Sequence, residues 1–172
     1  PFGGTIRNCI LSDHFVDGNT ADTYGYAWGS AIYMEGTGLV ENCSLTNNKA
    51  AGGFSAGGAM YAKGDITVRN CSFVSNQALL DGGGLFCTSG GTVSNCLFVG
   101  NRAERYGGAA SFSGGQPKIS GCTVVANRAA TTGGFFFASA YEVFAARIDP
   151  TTGRSLGPPA QLFHFSPPDR IA

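Results

Sequence analysis

Asn70-Cys71-Ser72-Phe73-Val74-Ser75-Asn76 is the stretch that decides the fold, because copies of it recur along the chain. The cysteines of the successive copies stand at positions 9, 43, 71, 96 and 122, which are 34, 28, 25 and 26 residues apart. A period in the twenties to thirties is typical of stacked-repeat proteins, in which each repeat contacts only its neighbours. The other copies span residues 8–11, 42–48, 95–101 and 121–127.

A second signature, a glycine pair followed by a short apolar strand, stands between the copies. The first glycine of the pair precedes the next cysteine by 14 residues in three repeats and by 15 in the fourth. The strand-bearing part of the repeat therefore keeps its length, and the variation lies between an Asn-x-Ala ending and the glycine pair. These strands begin at Gly29 (where serine is the second residue), Gly57, Gly82, Gly107 and Gly133.

The strands alternate apolar and polar residues, and the chain has no helical periodicity. Ile66 and Val68 share one face, and Cys71 and Phe73 continue it after a bend. About 25 residues per repeat fits a coil of three short strands separated by bends, with equivalent residues stacked about 4.8 Å apart. The sequence therefore predicts an all-β fold, a right-handed parallel β-helix (solenoid) of about five coils over residues 1–138.

In-register stacking also predicts which side chains fill the interior. Two alternate positions of the glycine-pair strand tend to combine a small residue with a large one, as a filled interior requires. The position between them carries mostly aromatic residues and is predicted to form a stripe on the outside. The inward pairs are Ile32 and Met34, Met60 and Ala62, Leu85 and Cys87, Ala110 and Phe112, and Phe136 and Ala138; the outer residues are Tyr33, Tyr61, Phe86, Ser111 and Phe137.

The repeat stops after Ala138, so residues 139–172 form a separate, non-repeat tail. Its apolar run 141–148 precedes a turn-forming sequence at 149–153, which favours a hairpin. A solenoid end exposes unpaired strand edges, and we expect the tail to cap the helix or to begin a next segment. The chain begins at Pro1 without a signal-peptide pattern and is expected to be a piece of a longer or processed protein.

Charge and hydropathy exclude several classes of partner. Lys and Arg together number 11, as do Asp and Glu, and only 13% of the residues are charged. Such a chain lacks the electrostatic footprint of a nucleic-acid or anionic-membrane binder. No apolar run is long enough to span a bilayer. We therefore expect no nucleic-acid partner and no direct membrane insertion by this segment.

The Gly-Gly-Ala-[apolar] and Phe-x-x-Asn tetrads carry a family resemblance. They resemble the repeats of chlamydial polymorphic outer membrane proteins and of related extracellular, pectin-lyase-like β-helix proteins, over about residues 3–138. The resemblance implies a right-handed β-helix on a secreted or cell-surface protein, with adhesion or surface display as its usual role. The tetrads stand at 57–60, 73–76, 98–101 and 107–110.

The recurring cysteines are predicted to form a column of reduced, packed thiols, because a free cysteine behaves as a small buried hydrophobe. One or more disulfides remain an alternative, since stacked Cα atoms fall within disulfide range. A zinc site would need paired cysteines or nearby histidines, so no metal is predicted. The column comprises Cys9, Cys43, Cys71, Cys96 and Cys122, and Cys87 lies outside it.

Two sets of asparagines recur at the bends. The first is predicted to be a structural turn ladder, because asparagine tolerates left-handed backbone and its amide can bond to its neighbours. The second set, with Asn8 and Asn95, includes Asn42 and Asn70, which match the glycosylation sequon; their occupancy is left open. The first set is Asn48, Asn76, Asn101 and Asn127.

Catalysis by a polysaccharide lyase or hydrolase would need acidic residues that converge on one cleft. The acids of the repeat region occupy unlike repeat positions, and the only local cluster is Asp13, His14 and Asp17. We therefore predict no enzyme activity, no catalytic residues and no cofactor. The acids are Asp13, Asp17, Asp22, Glu35, Glu41, Asp65, Asp81 and Glu104.

The insertions at 13–28 and 49–56 are the predicted binding region. Both leave the coil at the same bend, so they should lie side by side, and insertions on one face of a solenoid are often its binding face. Alternatively, the first insertion covers the open N-terminal end or packs on another domain. The candidate binding residues are His14, Asp17, Asp22, Tyr24, Tyr26, Trp28, Phe54, Tyr33, Tyr61 and Phe86.

Two functions follow from these features. The first is a non-catalytic structural and interaction module of a larger secreted or cell-surface protein, a rigid rod that contacts other protein chains or domains. The alternative is a carbohydrate-binding or polysaccharide-cleaving β-helix with its site near the 13–28 loop. Ice binding would need a flat ladder of Thr-x-Thr, which the sequence lacks. For both functions, the family resemblance implies an extracellular or cell-surface location.

Overall fold

The structure is a computed structural model that describes residues 3–18, 25–130, 133–137, 141–145 and 160–165, with side chains described for 3–18, 25–130 and 133–135. Every regular element in these ranges is a β-strand. The strands are β1 Gly3–Arg7, β2 Ile10–Ser12, β3 Phe15–Asp17, β4 Tyr26–Trp28, β5 Ile32–Glu41, β6 Ser44–Thr46, β7 Lys49–Ala51, β8 Phe54–Ala56, β9 Met60–Arg69, β10 Ser72–Val74, β11 Gln77–Ala78, β12 Leu85–Cys87, β13 Thr92–Ser94, β14 Leu97–Val99, β15 Arg102–Ala103, β16 Ala110–Phe112, β17 Lys118–Ser120, β18 Thr123–Val125, β19 Phe135–Phe137, β20 Tyr141–Ala145 and β21 Ala160–Phe165.

Three parallel sheets surround a common interior. The first runs β1-β5-β9-β12-β16-β19, with β13 and β17 continuing it, the second β18-β14-β10-β6-β2 and the third β15-β11-β7-β3. Each strand pairs in parallel with its counterpart one repeat away, so the predicted parallel β-helix is confirmed. The second sheet has five strands and the third has four. The five cysteine-bearing copies therefore build about four complete turns.

The coils differ in one respect from the predicted three short strands. In β5 and β9 the glycine-pair strand and the strand before the cysteine form one continuous strand of ten residues. Gly36 and Gly64 stand in register at the middle of these strands, where a β-carbon on Gly64 would meet the carbonyl of Gly36. In the next coil the chain bends at Gly90 and Gly91, both at positive φ, and the strand divides into β12 and β13.

The interior holds the predicted apolar columns. All four described inward pairs of the glycine-pair strand are buried, and Phe136 and Ala138 lie outside the described side chains. The Phe73 and Phe98 rings, both fully buried, stack with centroids 4.8 Å apart and planes 6° apart. Ile66 and Val68 are buried on the same face. The core is thus a set of like-on-like stacks that run along the helix axis.

Each glycine of the pair is required for a different physical reason. The first glycine takes left-handed backbone, with φ of 68° at Gly57 and 63° at Gly82, which side chains with a β-carbon rarely adopt. The second glycine lies against the next coil, since a β-carbon on Gly58 would collide with the carbonyl oxygen of Gly83. The pair therefore turns the chain and lets successive coils approach closely.

Left-handed residues also make the two bends around each cysteine copy. At the first bend Asn42 and Asn70 have φ of 52° and 53°, although the sequence predicted left-handed backbone at the other set of asparagines. At the second bend the left-handed residue lies one position before the predicted asparagine, for example Ser75 (φ 56°) before Asn76. The inner asparagines therefore do not turn the backbone themselves. Their side chains point into the protein, where Asn76 is 1% exposed.

These inner asparagines form a continuous buried hydrogen-bond ladder. Asn48 Nδ2 donates to Asn76 Oδ1 at 3.0 Å, and Asn76 Nδ2 donates to Asn101 Oδ1 at 2.9 Å. The same Nδ2 of Asn76 also donates to the Leu45 carbonyl at 2.9 Å. The ladder continues from Asn101 to Asn127. These four asparagines are therefore linked into one hydrogen-bonded ladder whose amides lie inside the coil.

The described part of the tail is an antiparallel strand pair. Strands β20 and β21 pair antiparallel, with Tyr141 opposite Phe165 and a register shift between Val143 and Phe144. The turn-forming sequence 149–153 lies outside the described residues. The role of the tail as a cap stays a prediction.

Candidate functional site

The two insertions lie side by side, as predicted. Strand β4 pairs in parallel with β8, which puts Tyr26 beside Phe54. The Phe54 amide donates to the Gly25 carbonyl at 3.3 Å, and the Gly18 amide to the Ala51 carbonyl at 2.7 Å. The first insertion is therefore held against the coil by backbone hydrogen bonds on both sides of residues 19–24.

This pairing gathers six aromatic side chains on the outside of the helix, which we call the aromatic patch. Tyr26 stacks on Phe54 with centroids 5.3 Å apart, and its ring contacts that of Trp28 at 5.1 Å. Trp28 in turn stacks on Tyr61 at 5.1 Å. Four members are exposed, by 63% (Tyr26), 53% (Phe54), 46% (Tyr33) and 39% (Trp28). The patch consists of Tyr26, Trp28, Tyr33, Phe54, Tyr61 and Phe86.

The predicted outer stripe forms the inner part of this patch. Tyr61 stacks on Tyr33 at 5.4 Å and on Phe86 at 5.3 Å, with ring planes 7° and 19° apart. Tyr61 is nevertheless only 8% exposed, because Trp28 folds over it. Burial raises the pKa of Tyr61 above its usual range. Ser111 ends the aromatic run and is buried, and the Phe137 side chain lies outside the described residues.

An ion pair borders the patch. Lys63 Nζ lies 2.7 Å from Glu35 Oε1, and Tyr33 donates to Glu35 Oε2 at 3.1 Å. The hydrogen bond from Lys63 lowers the pKa of the Glu35 carboxyl. Sequence reasoning did not assign this pair, although a signal was present, since both residues stand six positions after the first glycine of their repeats.

The two other described candidates, His14 and Asp17, do not join the patch. His14 occupies the first rung of the asparagine ladder, with its Nδ1 3.0 Å and its backbone amide 3.1 Å from Asn48 Oδ1. Asp17 is exposed on β3, in register with Ala51. Asp22 and Tyr24 lie outside the described residues. The structure thus brings together six of the ten predicted residues.

Most of the described acids are bound to nearby polar or basic side chains. Asp81 accepts a hydrogen bond from Arg105 Nε at 2.9 Å, and Glu41 pairs with Arg69 at 2.9 Å. Glu104 pairs with Arg102. Asp13 accepts from Asn47 Nδ2 at 2.6 Å, which lowers the pKa of its carboxyl. Within the described ranges no three His, Cys, Asp or Glu side chains are grouped so that they could hold a metal ion.

The six cysteines are free thiols in the structure. In the column each thiol donates to the carbonyl two residues earlier, as Cys71 does to Arg69 at 3.2 Å. Burial raises the pKa of Cys87 to about 12. Hydrogen bonds with Cys122 and Cys71 raise the pKa of Cys96, whereas the hydrogen bond from Cys96 lowers the pKa of Cys122. Cys122 is also partly exposed at the end of the column.

Thiol labelling at pH 8 should therefore modify Cys122 first and Cys87 last. The thiolate is the reacting species, so burial and a raised pKa should slow Cys87 by about a hundredfold or more. Alkylation with iodoacetamide, followed by peptide mass spectrometry over time, gives the order. The same reaction on the chain unfolded in guanidinium should label all six cysteines at similar rates. Native labelling of Cys87 as fast as Cys122 would contradict the burial described here.

The outer asparagine bends line a groove of 610 Å³ on another face of the helix. Asn42 Nδ2 donates to Asn8 Oδ1 at 3.2 Å, and Ser72 donates to Ser44 at 3.2 Å. Asn42 and Asn70 are exposed, and glycosylation at these sequons stays a prediction. The groove is lined by asparagine amides at the spacing of the coils, by the hydroxyls of Ser44 and Ser72, and by the apolar side chains of Ile10 and Leu97.

A chain wound in parallel rungs with stacked interior columns defines a parallel β-solenoid, here with aromatic insertions on one side. The family model described as "Right handed beta helix region" matches residues 2–124. The chain therefore belongs to the right-handed β-helix family. A search of curated proteins and a search of solved structures each found no match. Among the described residues no helix is long and apolar enough to cross a membrane.

Proposed function

We propose that this chain is a non-catalytic interaction module of a larger secreted or cell-surface protein, in which the β-helix is a rigid rod and the aromatic patch contacts another protein. The observation that carries the proposal is the patch itself. Contiguous exposed aromatic side chains on a soluble surface mark interaction sites, and tyrosine, tryptophan and phenylalanine are enriched at protein interfaces.

Ring geometry favours a protein over a sugar as the partner. Sugar recognition uses an open aromatic face, whereas the rings of Tyr33, Tyr61 and Phe86 are stacked on one another at 5.3 to 5.4 Å. The Tyr61 ring is therefore covered on both faces, and the exposed surface of the patch comes from rings that already stack on one another.

Rigidity supports the same function. The patch is built on β5, β9 and β12 of the first sheet and on β4 and β8, which pair in parallel as a separate two-stranded sheet. The aromatic groups are therefore held in fixed relative positions before a partner arrives, which reduces the side-chain entropy lost on binding.

The pairing of the acids supports a non-catalytic role. Glu35, Glu41, Asp81 and Glu104 each lie in an ion pair with a lysine or arginine. A general acid must hold a proton near neutral pH, and an adjacent cation favours the ionised carboxylate instead.

Carbohydrate binding is the second candidate function, and the groove at the outer asparagine bends favours it. Its asparagine amides recur once per coil, Ser44 and Ser72 add two hydroxyls, and these groups can hydrogen-bond to the hydroxyls of a glycan that runs along the axis. This site differs from the 13–28 loop that the sequence pattern favoured for sugar binding.

Site-specific photo-crosslinking in the producing cells tests the proposed function. A benzoylphenylalanine at Phe54 (53% exposed, in the patch) should cross-link to a protein, whereas one at Ile10 (83% exposed, outside the patch) should not. Mass spectrometry identifies the adduct.

A sugar titration forms the second arm of this test. Trp28 is the only tryptophan of the chain, so its fluorescence reports on the patch. Pectin, xylan and chitin oligosaccharides should leave its emission unchanged. A saturable change in emission, without a protein adduct at Phe54, would overturn the proposal in favour of carbohydrate. Adducts at Phe54 and Ile10 in equal yield would also overturn it, since they would show no preference for the patch.

A further inference from the structure

Each thiol of the cysteine column takes the same position in its coil. All five donate to the backbone carbonyl two residues earlier, as Cys43 does to Glu41 at 3.2 Å. The strands that follow the cysteines pair in register, with Ser44 opposite Ser72. Neighbouring sulfurs therefore lie about one strand spacing apart, about 4.8 Å, in a line along the helix axis.

This spacing suits an ion that is bound in line between two sulfurs. A metal–thiolate bond is about 2.3 Å long, so an ion with one sulfur on each side places the two sulfurs about 4.6 Å apart. Zinc sites use three or four protein ligands, and the described side chains offer no group of three His, Cys, Asp or Glu that could hold a metal ion. Copper(I) prefers soft thiolates and forms linear complexes with two of them. The prediction of no metal rested on the exclusion of zinc, and copper(I) escapes that exclusion.

A groove leads from solvent to the column. Cys9, Cys43 and Cys71 line the 610 Å³ groove at the outer asparagine bends. Cys43 and Cys71 are nevertheless only 3% and 2% exposed. An ion can therefore reach this pair from the groove, and the surrounding protein shields the pair from water and from bulkier ligands.

The backbone around Cys43 and Cys71 tolerates the loss of the thiol protons. The Cys43 amide already donates to Cys71 Sγ at 3.5 Å, and a hydrogen bond to an ionised acceptor is stronger than one to a neutral acceptor. The Arg69 carbonyl loses the Cys71 thiol as a donor but keeps the Asn42 amide at 3.2 Å. The Glu41 carbonyl likewise keeps an amide donor. Deprotonation therefore leaves neither carbonyl without a partner.

We propose that consecutive thiols of the column, above all Cys43 and Cys71 at the groove, bind copper(I) in a linear two-coordinate site. Two thiols release two protons, one ion gains two copper–sulfur bonds, and the site carries a net charge of −1. Copper stays monovalent, so no electron is transferred. The site uses interior side chains that do not belong to the aromatic patch, and it is independent of the proposed protein contact.

The test compares neighbouring thiols with isolated ones in two double variants. Cys43→Ser with Cys96→Ser, the alternating variant, leaves Cys9, Cys71 and Cys122, which are two coils apart. Cys9→Ser with Cys122→Ser is the matched control, since it also removes two thiols but keeps three neighbours. Two linked binding groups gain about 10² to 10⁴ in affinity over one. Competition with bathocuproine disulfonate under argon should therefore show about a hundredfold or greater loss of copper(I) affinity in the alternating variant, and a change below about threefold in the control.

X-ray absorption at the copper edge tests the geometry without any substitution. The wild-type chain, loaded with one copper(I) ion, should show two sulfur neighbours and no nitrogen or oxygen neighbour. Far-ultraviolet circular dichroism of both variants checks that the strands are retained before titration. The proposal is overturned if the alternating variant binds copper(I) as tightly as the control, or if the wild-type spectrum shows nitrogen, oxygen or a third sulfur at the metal. It is also overturned if the wild-type chain does not compete with the chelator.

Discussion

Replacing Phe73 by alanine should lower the free energy of unfolding by about 3 to 5 kcal/mol, the usual cost of removing a fully buried phenylalanine. Phe73 is fully buried, and its ring stacks on Phe98 at 4.8 Å. The cavity would lie between two coils whose backbones are fixed by parallel pairing on both sides of β10. These ladders limit collapse into the space, so the cost should fall towards the upper part of the range.

Phe54→Ala is the matched control, since it removes the same side chain from the surface. Phe54 is 53% exposed and stacks on Tyr26 at one side, so its loss should cost about 1 kcal/mol or less. Urea unfolding followed by far-ultraviolet circular dichroism measures both variants. A loss below about 1 kcal/mol for Phe73→Ala would place Phe73 outside the core and break the register of the coils.

The coil and its interior columns could be predicted because each position of the coil occurs in several copies in the sequence, and the copies can be compared. Cys43, Cys71 and Cys96 are separated by steps that match the strand pairing of the structure, with Ser44, Ser72 and Leu97 in register after them. In a parallel stack, one assigned column fixes the columns beside it. The buried columns follow from that single register, without any long-range information.

Contacts between the repeated coils and a segment that occurs only once could not be predicted from the repeat. Tyr61 stands in the outer column yet is buried, because Trp28 of an insertion folds over it. That insertion occurs in one coil, so the sequence holds no second copy with which its packing could be compared. Likewise, Asp13 and Asp17 made His14 look like part of a chemical cluster, whereas its position five residues after Cys9 matches that of Asn48 after Cys43.

At the second bend, the prediction of the left-handed residue was wrong because of the backbone. Ser75 and Ala126 adopt φ of 56° and 55°, although neither residue type favours left-handed backbone. Propensity therefore pointed to the following asparagine as the turning residue. The hydrogen bonds of that asparagine hold the bend in place, so we expect them to offset the cost of the left-handed residue before it.

Replacing Asn76 by glycine should lower the free energy of unfolding by about 2 to 6 kcal/mol, because two buried backbone groups lose their partners at about 1 to 3 kcal/mol each. The Asn48 amide donates to Asn76 Oδ1 at 2.9 Å, and the Leu45 carbonyl accepts from Asn76 Nδ2 at 2.9 Å. Glycine leaves both unpaired in an interior that water does not reach, and it also interrupts the ladder between Asn48 and Asn101.

Asn70→Gly makes the same substitution six residues earlier and separates this effect from the loss of an asparagine as such. Asn70 is exposed at φ 53°, and the equivalent residue of the last copy is already glycine, Gly121 at φ 61°. The control should therefore change the free energy of unfolding by less than about 0.5 kcal/mol. Both variants are measured by urea unfolding under identical conditions. Equal losses at the two positions would show that the buried ladder contributes no more than the exposed bend, and the inward position of the amides would then have to be abandoned.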